Sequence, residues 1–287
     1  MMPVVARTRL GLAVTRRTLG CPVVLVPTMG ALHHGHRILL RRARDIAGPD
    51  GSVLVSIFVN PLQFGEATDL ERYPRTLDED VRVCAQEGAD LVFAPDSSVM
   101  YPRPQQITVD PGPMGRLLEG ESRPGHFAGV LTVVLKLFQL TGPDVAVFGE
   151  KDAQQLALVR RMAADFDLAV EITGVPTVRD DDGLAISSRN RFLSGPERQT
   201  ALLLPAALRA GREAAHAGPA AALKAAGEVL GQTTDPPLRL DYLALVDPET
   251  FQPVADEASG DARLLVAARV GATRLIDNTP LHLGAAD

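Results

Sequence analysis

The sequence predicts an α/β protein: an open parallel sheet with helices on both faces, followed by a smaller C-terminal α+β domain. Three observations carry this. Short apolar runs alternate with helix-like segments from VVLVP at 23–27 to AVEITGVP at 169–176. Near residue 190 the texture changes to alanine-rich helical sequence and then to strand-like sequence. The segments richest in chemistry-bearing side chains mostly follow apolar runs directly, where an open sheet places its ligand crevice.

Taken in order, VVLVP (23–27) reads as a strand buried on both faces, and GHRILLRRARDIA (35–47) carries apolar residues at helical spacing. SVLVSIFVN (52–60) is a second strand, LDEDVRVCAQEG (77–88) a helix rich in acid at its start, and DLVFAP (90–95) a third strand. HFAGVLTVVLKLFQL (126–140) is a largely buried helix. DVAVFG (144–149), DAQQLALVRRMAADF (152–166) and AVEITGVP (169–176) read as strand, helix and strand. Beyond them lie helices broken at Pro196, Pro205 and Pro219, and then strand-like LRLDYLALVD and ARLLVAARVGATRLID. The boundary falls at about 178–190, giving expected domains 1–178 and 179–287.

Composition narrows the function classes. Of 287 residues, 46% are hydrophobic and 22% charged, as in globular proteins rather than disordered ones. The net charge of −6 argues against a broad nucleic-acid surface but leaves room for a local basic pocket. No apolar run reaches the roughly 18 residues of a membrane span, and the N-terminus lacks the plan of a signal peptide. Two cysteines, Cys21 and Cys84, make neither a disulfide framework nor a four-cysteine zinc site, so a reducing, cytoplasmic setting is expected. The 29 basic residues include only three lysines, Lys136, Lys151 and Lys224, the other 26 being arginine. A lysine inside a polar cluster therefore stands out as a compact charge.

Four motifs carry chemistry. PTMGALHHGH (27–36) joins the first clear strand to a helix whose free N–H groups suit phosphate. Gly30 and Gly35 allow close backbone approach, and His33 and His36 share a face on the first turn, aimed at one phosphate group. FVNPLQFG (58–65) supplies Asn60 and Gln63, neutral amides that can orient a polar substrate; by itself it is also an ordinary Asn-Pro turn. FGEKDAQQ (148–155) puts Lys151 where a phosphate would arrive. Asp152 there can cap the helix or assist a metal or ribose contact, and Gln155 lies one turn later. DGLAISSRN (182–190) sets two hydroxyls beside Arg189 as an anion clamp. No Walker A, Gly-x-Gly-x-x-Gly or Gly-x-Ser-x-Gly element occurs, and zinc at the histidines lacks a third ligand at familiar spacing.

Together with YPRTLDED, LEGESRPGHFAGVLTVVLKLF, DYLALVD and GATRLIDN, these segments resemble the pantothenate synthetases, the AMP-forming pantoate–β-alanine ligases, over nearly the whole chain. The histidine element alone is shared with nucleotidylyltransferases and class I aminoacyl-tRNA synthetases. The resemblance implies a Rossmann-like, nucleotidylyltransferase-like first domain, a lid-like second domain, a homodimer, and ATP with Mg²⁺. It implies that Met29, Gly30, Ala31, Leu32, His33, His34, Gly35 and His36 line ATP, with His36 as the family's proton donor. Gln63 would contact pantoate and β-alanine, and Gln155 pantoate. Gly149, Glu150, Lys151 and Asp152 would contact ATP, and Val178, Ile186, Ser187, Ser188 and Arg189 would complete the nucleotide site. Three residues depart from the family's habit: His34 for an acid, Ala153 for an aromatic and Ile186 for methionine. None removes a reacting group.

The chemistry expected is activation of the pantoate carboxylate as an adenylate, with His33, His36, Lys151, Arg189 and Mg²⁺ stabilising phosphate charge. His36 reads chiefly as a hydrogen-bond donor to phosphate, since carboxylate attack removes no proton. A nucleotidylyltransferase stopping at the adenylated product shares the first motif but has no need of the other three together. A non-catalytic nucleotide sensor would have lost the phosphate-facing charges. A tRNA synthetase is disfavoured by the acidic balance, the short chain and the lack of an evident anticodon-binding domain.

Overall fold

A computed structural model describes residues 2–65, 70, 71 and 73–284. The last three residues of the expected C-terminal domain, 285–287, lie outside the described residues. The chain forms two compact units: residues 1–150 with 154–176, and residues 177–287 with the tripeptide Lys151–Ala153.

The first unit is the expected parallel α/β sheet. Its strands are β1 (Val4–Ala6), β2 (Val23–Thr28), β3 (Ser52–Ile57), β4 (Leu91–Phe93), β5 (Val145–Gly149) and β6 (Glu171–Val175), arranged β1-β4-β3-β2-β5-β6, all neighbours parallel. Each apolar run divides its side chains between two cores by the strand period of two. Val23, Leu25, Leu54, Leu91, Phe93, Ala146 and Phe148 join one core with residues of α1 (Arg9–Arg16), α4 (His126–Thr141) and α5 (Ala153–Asp165). Val24, Val26, Val53, Val55, Val92, Val145 and Val147 face the other, with α2 (His34–Ala47) and α3 (Leu77–Gln86). That is why these strands read as unbroken apolar runs.

The end of the second strand and the N-terminal segment differ from expectation. The second strand stops at Ile57, because Asn60 caps a 3-10 turn over Pro61–Gln63 and accepts the Leu62 N–H at 3.3 Å. The N-terminal β1 and α1 carry too short a pattern to be read from sequence. The order places β2 beside β5, with Val24 opposite Val145. The chain runs outward through β2, β3 and β4 and returns to the other side of β2, so the carboxyl ends of β2 and β5 form the topological switch where such sheets bind ligands.

The second unit contains α6 (Gly195–Ala201), α7 (Leu203–Ala214), α8 (Pro219–Leu230) and an antiparallel sheet of β7 (Leu238–Val246), β8 (Gly260–Val270) and β9 (Thr273–Leu283). The run read as ARLLVAARVGATRLID contributes two strands joined at Gly271, whose φ of 56° suits a tight turn. Ser194 and Glu197 form a capping box that starts α6, with Pro196 in the first turn.

Candidate active site

The histidine loop leaves β2 at Thr28 and enters α2 at His34. Gly30 and Ala31 both have positive φ, 85° and 51°. At Gly30 a Cβ would lie 2.9 Å from the Asp80 Oδ2, so only glycine fits without displacing the carboxylate. Asp80 is 1% exposed and accepts the N–H groups of Ala31 at 3.1 Å and Leu32 at 2.7 Å, plus the Thr76 hydroxyl at 3.3 Å. This buried carboxylate holds the strained turn that delivers the histidines. Its helix α3 is tied to α2 by Glu87, which accepts from Arg37 at 2.7 Å and Arg41 at 2.8 Å. Those guanidiniums, Arg41 foremost, hold the Glu87 carboxyl below the usual range.

His33 is the N-cap residue of α2 and His36 its third helical residue. The imidazoles lie 4.1 Å apart between centroids, as the three-residue spacing requires. His36 Nδ1 accepts the His33 backbone N–H at 3.2 Å. The neutral ring therefore carries its proton on Nε2, the tautomer of a hydrogen-bond donor. His34, the departure from an acid, is exposed, so any charge it gains is solvated.

The amide pair is assembled at the end of β3. Asn60, 1% exposed, donates from Nδ2 to Gln63 Oε1 at 3.0 Å and to the Gly129 carbonyl at 3.1 Å, while its Oδ1 accepts from Tyr101 Oη at 2.8 Å. Both amide atoms of Asn60, expected to face substrate, thus bond protein groups, one of them the Gln63 side chain. Gln63 Nε2 meets Met29 Sδ at 3.0 Å, a weak acceptor that a substrate oxygen would better. His126 Nδ1 lies 2.9 Å from the Gln63 carbonyl and steadies the turn from α4. Gly129 must be glycine, because a Cβ there would strike the Leu62 carbonyl. Lys136 of α4 lies 5.2 Å above the Tyr101 ring, which accounts for one of the three lysines.

Lys151, partly buried, sits in the 3-10 turn Glu150–Asp152 that links β5 to α5. Gln155 is half-buried in the first turn of α5, and the departure Ala153 is buried there at 6% exposure. In the second unit, Val178 and Ile186 are paired, the Ile186 N–H donating to the Val178 carbonyl at 2.9 Å. Gly183 turns this hairpin with a φ of 91°, and Arg198 grips it through Asp180 at 2.7 Å and Asp182 at 2.8 Å. Ser187 Oγ caps the following 3-10 turn by accepting the Arg189 N–H at 3.2 Å, and the Arg189 side chain is exposed.

A model of the pantoate-beta-alanine ligase family matches residues 4–280. The chain belongs to the pantoate–β-alanine ligase family. It is 61% identical to a pantothenate synthetase of Thermobifida fusca, over 98% of this chain and 96% of the relative. It is similar to the crystal structure of the pantothenate synthetase of Thermus thermophilus, with a TM-score of 0.87 and 48% identity, covering 96% of this chain and 98% of that one. The pantoate–β-alanine ligase of Francisella tularensis, solved with β,γ ATP and β-alanine, matches with a TM-score of 0.78 and 32% identity, over 96% and 97% of the two chains.

Within this family member, the residues that sequence reasoning missed are those that hold others in place. Asp80 stands third in the acidic run Asp78, Glu79, Asp80, which reads as a helix start favoured by the macrodipole; only burial separates it from its neighbours. His126 and Tyr101 lie far in sequence from the Asn60–Gln63 turn they support. Among the described residues no group of three His, Cys, Asp or Glu side chains could hold a metal ion. Mg²⁺ is commonly held by one or two carboxylates together with substrate phosphates, a mode that needs no such cage.

Proposed function

We propose that this ligase condenses pantoate with β-alanine through a pantoyl adenylate, using ATP and releasing pyrophosphate and AMP. The observation that carries the reading is the histidine loop at the β2–β5 switch, with His36 held as an Nε2–H donor. The pantoate carboxylate attacks the α-phosphorus and pyrophosphate leaves; the β-alanine amine then attacks the activated carbonyl and AMP leaves. Charge builds on phosphate oxygens in the first step. In the first unit, Met29–His36, Gly149 and Glu150 form the nucleotide-binding backbone, and His33 and His36 are the phosphate donors. In the second, Lys151 and Arg189 are donors, with Asp152, Val178, Ile186, Ser187 and Ser188 as further nucleotide contacts. Preorganised donors of this kind supply much of the stabilisation of developing charge. Asp152, exposed beside Lys151, would help hold Mg²⁺ together with the nucleotide phosphates, and the bound ion would supply neutralisation of phosphate charge.

Gln63 and Gln155 hold pantoate, and Asn60 sets the orientation of Gln63. Gln63→Ala is expected to raise the KM for pantoate far more than that for ATP, because unpaired substrate oxygens cost about 1–3 kcal/mol. Equal rises for both substrates in steady-state kinetics would place Gln63 elsewhere. We also assign the chain to the cytoplasm as a homodimer, in line with its resemblance and with the lack, among described residues, of a helix long and apolar enough to cross a membrane.

The deciding experiment is exchange of labelled pyrophosphate into ATP. Exchange should require pantoate and Mg²⁺ but not β-alanine, and AMP release should then require β-alanine. Exchange only in the presence of β-alanine would break the two-step order. Exchange with a nucleotide-type phosphate acceptor in place of pantoate would favour a nucleotidylyltransferase.

A further inference from the structure

Lys151 is one of three lysines, yet its own turn is only three residues long and cannot by itself fix a backbone. The structure supplies an outside brace. Asn278 of β9 donates from Nδ2 to the Lys151 carbonyl at 3.0 Å. Asn278 is 3% exposed, and its Oδ1 accepts from Arg263 Nη1 at 2.6 Å. The side-chain amide is thus oriented: with oxygen committed to a guanidinium, nitrogen must face Lys151.

The main chain of Asn278 is fixed as firmly. Its N–H donates to Asp277 Oδ1 at 2.7 Å, and its carbonyl accepts from Arg179 Nη2 at 3.3 Å. Arg179 in turn grips Asp277 with both forks, Nη1 to Oδ2 at 2.6 Å and Nη2 to Oδ1 at 3.0 Å. The Asp277 carboxylate is buried, at 3% exposure, while Arg179 is only partly buried; the two-pronged geometry makes the pair specific. Arg179 lies next to Val178 in the hairpin that leads to Ile186–Arg189, so one brace serves two segments.

We propose that Asn278 is a positioning residue for the ligation: it fixes the backbone of Lys151, and through Asp277 and Arg179 keeps Lys151 in register with the Val178–Arg189 segment. The proposal rests on the reading of Lys151 as a phosphate donor. A donor matters only at the place where charge develops, and a displacement of about 1 Å can cost up to about 10²-fold in rate. A lysine on a loose turn would supply charge without position.

The test is a double-mutant cycle on single-turnover pantoyl-adenylate formation, with melting temperatures recorded alongside. Asn278→Asp keeps shape and still accepts from Arg263, but a carboxylate cannot donate to the Lys151 carbonyl; Asn278→Ala removes both bonds. Each is expected to slow adenylate formation about 10-fold, and to slow the Lys151→Ala enzyme by no more than about 2-fold further, the margin within which a shared effect has vanished. Adenylate formation at the wild-type rate in Asn278→Asp, or equal factors in both backgrounds, overturns the proposal and leaves the Lys151 reading intact. A Lys151→Ala enzyme at full rate overturns that reading and the proposal with it. If Asn278→Ala melts before it can be assayed, the isosteric Asn278→Asp decides.

Discussion

Asp80→Ala is expected to be among the most damaging single changes in the first unit, lowering stability and activity together. Asp80 accepts two loop N–H groups and one hydroxyl while 1% exposed. Removing the carboxylate leaves those donors without a partner in a site that water reaches poorly. At about 1–3 kcal/mol for each unsatisfied group, a total loss of several kcal/mol is expected. The positive φ values at Gly30 and Ala31 then lose the bonds that hold them, and the His33–His36 pair moves with the loop. Adenylate formation should fall by about 10²-fold, the scale of misplacing a catalytic group. Asp80→Asn should lie between wild type and Asp80→Ala, because its single oxygen can accept from only one side while its amide N–H groups face the other donor. Thermal melting and single-turnover kinetics check this. An Asp80→Ala enzyme with unchanged melting temperature and rate would show that the loop holds itself.

Lys151→Ala should give the second large effect, confined to chemistry. Adenylate formation is expected to drop by about 10²-fold or more, the cost of removing one preorganised donor. The melting temperature should change little, since Lys151 is only partly buried and its anchor to Asn278 uses the backbone carbonyl, which alanine retains. Lys151→Arg should recover only a small part of the rate, because a planar fork cannot occupy the place of a compact ammonium. If Lys151 serves only as an ion-pair partner of Glu150 or Asp152, the arginine variant will work nearly normally. A fall in melting temperature in Lys151→Ala, without the rate loss, would make the residue structural.

The strands and helices of the parallel sheet were legible because both their faces are buried: VVLV and SVLVSI can only be central strands, and glycines or acids mark the helix ends. The same holds for His33 and His36, since a helix start puts residues three apart on one face. Less was legible where a pattern is short or doubled. The three residues of β1 are too few to show a period, and one continuous run in the second unit concealed a turn at Gly271.

The sequence by itself therefore determined the α/β class, the smaller second unit with its own sheet, and the sharing of one helix face by His33 and His36, because local periodicity and turn chemistry are properties of neighbouring residues. It could not reveal that Asp80 rather than Asp78 or Glu79 is buried against the histidine loop, that the Asn60 amide is taken up by Gln63, Gly129 and Tyr101, or that Asn278 bonds the Lys151 backbone across 127 positions. Those are decided by hydrogen bonds between segments remote in sequence. A carboxylate or an amide looks the same in a sequence whether it is solvated or holds a backbone, and only the tertiary structure removes the water that makes the difference.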